Sequence, residues 1–302
     1  MPIGGFRLAS FELSRRQWLK LAGAAAATGV MAVGVEGIVL EPQHPQLERV
    51  EVPLRRLPLQ LDGLTIAQMS DFHYHPHFTA GVIETAVKIV NRLNADLVVL
   101  TGDYITVPQF EKHAAHRAGA LQGAEPCARL LAALRARHGV FAVLGNHDQH
   151  ADAEFVAGHL RKRGIEVLRN QAVPVERGGA RMWLTGLNDL VEGGRPDLGR
   201  LLHQVPTGEP TVLLVHEPDF ADEAAKYAID LQLAGHSHGG QIRLPMLGAI
   251  YLPEMARKYP WGLRRIGALT LYTNRGIGTI GIPVRLNCPP EITLLTLRSV
   301  QA

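Results

Sequence analysis

Short, uninterrupted apolar runs that stop at a small or polar residue and then deliver Asp, Asn or His recur five times along the chain. Leu97 to Leu100 ends at Thr101-Gly102 and delivers Asp103. Leu64 to Ser70 delivers Asp71 and, two residues on, His73. Val140 to Gly145 delivers Asn146, His147 and Asp148. Thr211 to Val215 delivers His216, and Leu231 to Gly235 delivers His236 and His238. Continuous runs of this length read as buried strands, and ligands of open α/β sheets gather where strands end at their carboxyl termini. Five ends tipped in this way predict one shared site, and the residue types predict that it binds metal.

Between these runs the period changes. Val82, Ile83, Ala86, Val87, Val90 and Leu93 recur at helical spacing, which predicts a crossover helix over Ala80 to Leu93. Residues 104 to 125 read as a polar insert carrying His113 and His116. Pro126 suits the first turn of a helix passing Leu130, Leu131 and Leu134 toward Gly139. Asp152 reads as the N-cap of a further helix that Gly164 ends. Ile165 to Leu168, Ala172 to Glu176 and Met182 to Leu187 alternate as strands, with Arg177-Gly178-Gly179-Ala180 as a hairpin turn. Helices are expected at Asp197 to Gln204 and Pro218 to Tyr227, and short strands from Gln241 to the final run Ile292 to Leu297.

The N-terminal 40 residues are of another kind. Ser14-Arg15-Arg16-Gln17-Trp18-Leu19-Lys20 precedes an uncharged stretch from Leu21 to Val35. Paired arginines ahead of an apolar region form a twin-arginine export address. An amphipathic basic helix is the competing reading, and it fails because Leu21 to Val35 is apolar on all sides. Fifteen residues span about 22 Å as a helix, short of the roughly 30 Å hydrocarbon core. Ile38-Val39-Leu40 would extend the span if Glu36 were tolerated, and Ala32-Val33-Gly34 offers a mediocre cleavage site. A retained anchor and a released enzyme both fit. Residues 41 to 60, with four prolines, read as a linker and an edge strand around Arg49 to Leu54, and residues 61 to 302 as the catalytic domain.

Composition narrows the partners. The 302 residues can bury a large core. A formal charge of +3, with basic residues scattered, gives no basis for nucleic-acid binding. Cys127 and Cys288 are the only cysteines; an exported chain could pair them, and two separate thiols fit equally.

Asp-x-His, Gly-Asp, Gly-Asn-His-Asp, His and Gly-His-x-His, in this order and on strand ends, resemble the calcineurin-like metallophosphoesterases. The resemblance covers about Leu61 to Leu297. Asn274 to Gly278, Pro283 to Arg285 and Pro289 to Ile292, together with the leader, narrow it to the exported bacterial phosphodiesterases of that superfamily. It implies a four-layer α/β/β/α sandwich with two mixed central sheets. It also implies two divalent cations. Asp71, His73 and His238 would hold the first, Asn146, His216 and His236 the second, and Asp103 would bridge them. Oxygen and imidazole donors without thiolate suit Mn, Zn, Fe or Co.

The resemblance further implies in-line attack on phosphorus by a hydroxide shared between the cations. His147 would be a non-ligand that stabilises developing charge or protonates the leaving oxygen. Asp148 is expected to orient His147, with a solvated turn as the alternative. Departures exclude two branches. Tyr104 to Val107 follows Gly-Asp where protein Ser/Thr phosphatases have Val-Asp-Arg-Gly, and Thr106 stands where purple acid phosphatases need Tyr.

The expected enzyme is a metal-dependent phosphodiesterase exported across, or anchored at, the bacterial cytoplasmic membrane. Its substrate is a phosphate ester, with a phospholipid, a cell-wall polymer and a UDP-2,3-diacylglucosamine-type pyrophosphate all open. A non-catalytic metal-stabilised binding protein and a nuclease are the rivals. His75 and His77 are expected in an exposed loop. Arg275 and Arg285 either meet phosphate or make ordinary pairs. Met246 to Leu252 and Tyr259 to Trp261, beside Arg257, Lys258, Arg264 and Arg265, are expected to be core strands and turns rather than an apolar rim of the site.

Overall fold

The alternation inside β-runs decides which face of each strand meets which layer. In the computed structural model, which describes residues 14–108, 114–194 and 197–300, strand β1 is Gln46–Leu54, β2 Thr65–Met69, β3 Leu97–Thr101, β4 Val140–Val143 and β5 Glu166–Val167. The second half supplies β6 (Gln171–Arg177), β7 (Ala180–Gly186), β8 (Thr211–Leu214) and β9 (Leu231–Ala234). A small pair, β10 (Arg243–Leu244) and β11 (Gly248–Ala249), precedes β12 (Gly262–Ile266) and β13 (Leu269–Thr273). Strand β14 (Glu291–Ser299) then returns to the first sheet, whose order is β1-β14-β2-β3-β4-β5. The other large sheet runs β12-β13-β9-β8-β7-β6. Each is mixed: β2, β3, β4 and β5 are parallel, as are β7, β8, β9 and β13, while β14 against β2 and the β6–β7 hairpin are antiparallel.

Leu97 and Val99 of β3 face Leu184, Leu214 and Leu233 of the opposite sheet in the central core. Val98 and Leu100 point the other way, toward the outer-layer helices α2 (Ala80–Leu93), α4 (Ala124–Leu131) and α5 (Asn146–Arg161). Helix α3 (Ala114–Leu121) joins this layer through Ala120 and Leu121, whereas α1 (Arg15–Val35) takes no part in that core. On the far side, α6 (Leu198–Leu202) and α7 (Ala221–Ala224) cover Leu213, Ala234 and Leu271. The result is the α/β/β/α sandwich, with the hydrophobic effect acting at three interfaces.

The crossover helix falls over Ala80–Leu93, as the periodicity requires, and ends at Asn94 with φ +50°. Asp152 accepts a hydrogen bond from the Phe155 N–H at 3.0 Å, so it caps a helix. That helix is the second part of α5, because a first helical stretch already begins at Asn146 and the backbone turns extended at Asp152. The hairpin turn holds Gly178 and Gly179 at φ +62° and +80°, a left-handed pair that glycine adopts without strain. The helix after Pro126 is shorter than expected and closes at Leu131. His113 and the side chain of His116 lie outside the described residues. Cys127 and Cys288 are both free and buried.

Leu214 lies wholly buried between the sheets. Leu214→Ala is expected to cost about 2–5 kcal/mol of stability, read as a lower urea midpoint with an unchanged slope.

Candidate metal centre

The strand ends do converge. Beyond β2, the Asp71 N–H donates to the Gly102 carbonyl at 2.9 Å, and the Phe72 N–H to Asp103 at 2.8 Å, which locks the first two motifs together. The Asp71 carboxylate accepts the His236 N–H at 3.0 Å, joining the first sheet to the second. His216 leaves β8 and its Nδ1–H donates to the Thr101 carbonyl at 2.6 Å.

Five of the site residues sit in the left-handed region: Asp71 (φ +52°), His73 (+41°), Asp103 (+57°), His236 (+67°) and His238 (+50°). Each non-glycine residue held there costs of order 1 kcal/mol or more, and such costs concentrate at functional sites. The motif glycines have the complementary task. A Cβ on Gly102 would lie 2.6 Å from the Gly145 nitrogen and 2.7 Å from His216 Nδ1. One on Gly145 would collide with the Asp103 carboxylate, and one on Gly235 with Ser70 and Asp71.

Ring nitrogens face one another and the carboxylates. His73 Nε2 is 3.0 Å from His238 Nε2 and 3.5 Å from Asp103 Oδ2, and His238 Nε2 is 3.5 Å from Asp71 Oδ1. His216 Nε2 is 3.1 Å from His236 Nδ1 and 3.2 Å from Asp103 Oδ2. Asp71, His73 and His238 therefore form one group that could hold a cation, and Asp103, His216 and His236 another. The outer nitrogens of His73, His216 and His236 are held from behind, whereas His238 Nδ1 is buried without a partner. His73 Nδ1 meets Thr106 Oγ1 at 3.0 Å, and His236 Nε2 donates to the Glu254 carbonyl at 2.8 Å. Fixing the outer nitrogen turns the inner lone pair toward the centre, the usual support of a metal-binding imidazole.

A third grouping brings His147 together with His73 and Asp103. Hydrogen bonding gives His147 a different tautomer from a ring that offers its inner nitrogen as a lone pair. Its Nδ1 accepts the Val107 N–H at 3.0 Å, so the neutral ring carries its proton on Nε2 and offers a donor, not a lone pair, to the site. Burial holds its pKa below the ordinary imidazole value.

Asp148 corrects the sequence reading. Its carboxylate accepts backbone N–H groups from Asp103 (2.9 Å), Tyr104 (2.9 Å), Ile105 (3.3 Å) and Gly145 (3.0 Å), and His147 is not among its partners. Asp148 fixes the loop that carries Asp103; the Val107 N–H orients His147.

The electrostatics call for positive charge. Burial alone would raise the Asp103 carboxyl, but His216 and His147 beside it hold it well below the usual carboxylate range. Asp71 is raised to about 6 by burial. Burial would lower His216, yet Asp103 and Asp71 reverse this and lift it well above the ordinary value. The two carboxylates thus favour positive charge at His216, where a cation belongs. By contrast, burial lowers His73 to about 3 and His236 to about 4, and puts His238 well below 6.5. Asn146 Oδ1 is buried with no hydrogen-bond partner. An orphaned carbonyl oxygen beside neutral imidazoles and two carboxylates is a donor set that a divalent cation satisfies.

The cluster floors a cavity of ≈ 420 Å³ whose walls are Ile242, Ile250, Tyr251, Ile280 and Ile282. His75 and His77 are exposed, and His75 lines a neighbouring opening. Arg285 does not meet the site: it is fully buried and its guanidinium donates to the carbonyls of Gly278, Cys288, Arg275 and Gly276. Arg275 pairs with Glu48 and Glu291. Sequence reasoning missed Thr106, the Val107 N–H and the Glu254 carbonyl, which carry no motif of their own.

A family model described as calcineurin-like phosphoesterase matches residues 64–240. The chain belongs to that family. This phosphoesterase is 35% identical over 293 residues to YkuE, an uncharacterized metallophosphoesterase of Bacillus subtilis, covering 95% of this chain and 99% of the relative. It is 31% identical over 236 residues to the phosphodiesterase YaeI of Escherichia coli, covering 76% and 80%. A transmembrane protein with a metallophosphoesterase domain from Danio rerio is 33% identical over 90% of this chain, which spans 61% of that longer protein. The phosphoesterase described here is a metal-dependent phosphoric ester hydrolase.

Cation binding at His216 Nε2 requires its proton to leave. Between the ordinary value near 6.5 and the raised one, metal affinity of the metal-free protein should therefore rise with pH. At least one proton per chain should be released on metal addition at pH 7, from His216, since His73 and His236 are already neutral. Calorimetric titration in buffers of different ionisation enthalpy measures this, and no release would contradict it.

Proposed function

We propose that this phosphoesterase is a dinuclear phosphodiesterase that acts on a lipid- or envelope-linked phosphate ester at the outer face of the bacterial cytoplasmic membrane. One observation carries the reading: Asp103 Oδ2 lies 3.5 Å from His73 Nε2 of one buried group and 3.2 Å from His216 Nε2 of the other. Asp71, His73 and His238 would hold one ion, Asn146, His216 and His236 the other, and Asp103 both. Mn, Zn, Fe and Co all suit these donors. Two divalent ions supply an acidified water and charge for the phosphate oxygens.

The protein's own groups do the rest. His147 directs its Nε2–H into the cavity and donates to a phosphate or leaving-group oxygen as negative charge develops there. Its neutral form matches a donor that is not consumed by competing protonation at pH 7. The isoleucine walls exclude water and fit an apolar ester group.

The leader reading draws support from the helix geometry. Helical backbone continues from Arg15 to Gln43: the apolar Leu21 to Val35 extend about 22 Å of the roughly 30 Å bilayer core, and Gly37 beyond them already packs on the domain. Arg15, Arg16 and Lys20 lie at its N-terminal end, which by the positive-inside rule leaves the catalytic domain outside. The twin-arginine machinery would deliver it folded, and the helix would then stay as an anchor.

Hydrolysis of an aryl phosphodiester after Mn²⁺ addition tests the enzyme. Wild type should turn it over and Asp103→Asn should not. His147→Ala should lower kcat by about 10²–10⁴-fold with metal content unchanged; metal lost from that variant would make His147 a ligand and overturn its assigned role.

A further inference from the structure

The segment expected to be core lies on the surface at the mouth of the cavity. Met246 and Leu247, at the tip of the β10–β11 hairpin, are 104% and 80% exposed, and Ile250, Tyr251 and Ile282 beside them are 63%, 60% and 54% exposed. Ile250, Tyr251 and Ile282 line the cavity, whereas Met246 and Leu247 do not. An apolar patch of this kind beside an active site marks an interaction surface.

A second observation identifies what covers it. The end of the apolar N-terminal helix is hydrogen-bonded into this same face. The Gly37 carbonyl accepts the Arg285 N–H at 2.9 Å, and Gly37 is buried against Val284 and Leu286. Leu286 bridges to Ile242, and the Ile250 N–H donates to the Ile242 carbonyl at 3.1 Å. The helix end and Ile250 are thus linked through two intervening chain segments, Arg285-Leu286 and Ile242. On the other side Gln43 Nε2 donates to the Phe78 carbonyl at 2.8 Å, and Phe78 is itself exposed. Ile38, Val39 and Leu40, between the anchored Gly37 and Gln43, are exposed apolar residues of the same helix end. At the foot of the hairpin Arg243 stacks 3.4 Å over the Trp261 ring, a cationic and aromatic pair suited to lipid headgroups.

We propose that this face is a bilayer-contact surface: the Met246-Leu247 tip enters the leaflet beside the N-terminal helix and holds the cavity mouth against the membrane, so that the phosphate ester arrives from the lipid surface. The proposal rests on the helix being a membrane anchor, and it adds how the catalytic domain is oriented on that anchor.

Full-length protein in vesicles of phosphatidylcholine and phosphatidylglycerol provides the test. A bimane label on Leu247→Cys should be quenched by brominated lipid, and a label on Lys162→Cys, at the far end of α5, should not. The double variant Met246→Asp/Leu247→Asp should hydrolyse a vesicle-borne fluorescent phosphodiester roughly tenfold more slowly, or worse, yet match wild type on a soluble aryl diester. An unquenched Leu247 label, equal losses on both substrates, or a detergent-stable dimer that the double variant abolishes would each overturn the proposal. If wild type cleaves neither diester, the phosphodiesterase reading fails, while the quenching still decides the orientation.

Discussion

Two buried carboxylates, Asp71 and Asp103, face imidazole nitrogens that have no protein donor to satisfy them all, and the rest of the domain serves to hold that unstable arrangement in place. The two carboxylates lift the His216 imidazole well above its ordinary value despite its burial. Every other ligand nitrogen that burial drives neutral is left pointing at another nitrogen or at a carboxylate. Such a centre holds together only because the surrounding sandwich fixes each group independently. Parallel strands fix the positions, left-handed residues fix the direction, and outer hydrogen bonds hold the rings of His73, His216 and His236.

The architecture follows from that need. Asp71 and Asp103 come from neighbouring strands of one sheet, and His216 and His236 from neighbouring strands of the other. The two sheets must therefore pack face to face with their carboxyl ends level. The central core of Leu97, Val99, Leu184, Leu214 and Leu233 does this, and Asp71 receiving the His236 N–H aligns the two edges. Asp148 works at shorter range, gathering four backbone N–H groups beneath Asp103, so that its position is set by the fold and not by a bound ion.

Much of this was legible in the chain because strand burial and motif order are one-dimensional signals. The apolar runs located β2, β3, β4, β8 and β9, and helical spacing located α2 to the residue. What stayed hidden depends on three-dimensional partners. Asp148 resembles an orienting acid in sequence, yet its carboxylate reaches backbone groups of a loop some 45 residues earlier. Arg285 resembles a phosphate-binding residue, but its guanidinium is spent on four carbonyls. Met246 to Tyr251 has the composition of a core strand, and only the hairpin geometry turns it outward. The ends of α5 blur for a related reason: Asn146 begins a helix that the Asp152 cap alone does not announce.

The central claim is that two cations share Asp103. Anomalous diffraction from crystals grown with Mn²⁺ tests it most directly. The account predicts two peaks, one among Asp71, His73 and His238 and one among Asn146, His216 and His236, both against Asp103. A single peak, or one coordinated by His147 Nε2, would contradict it.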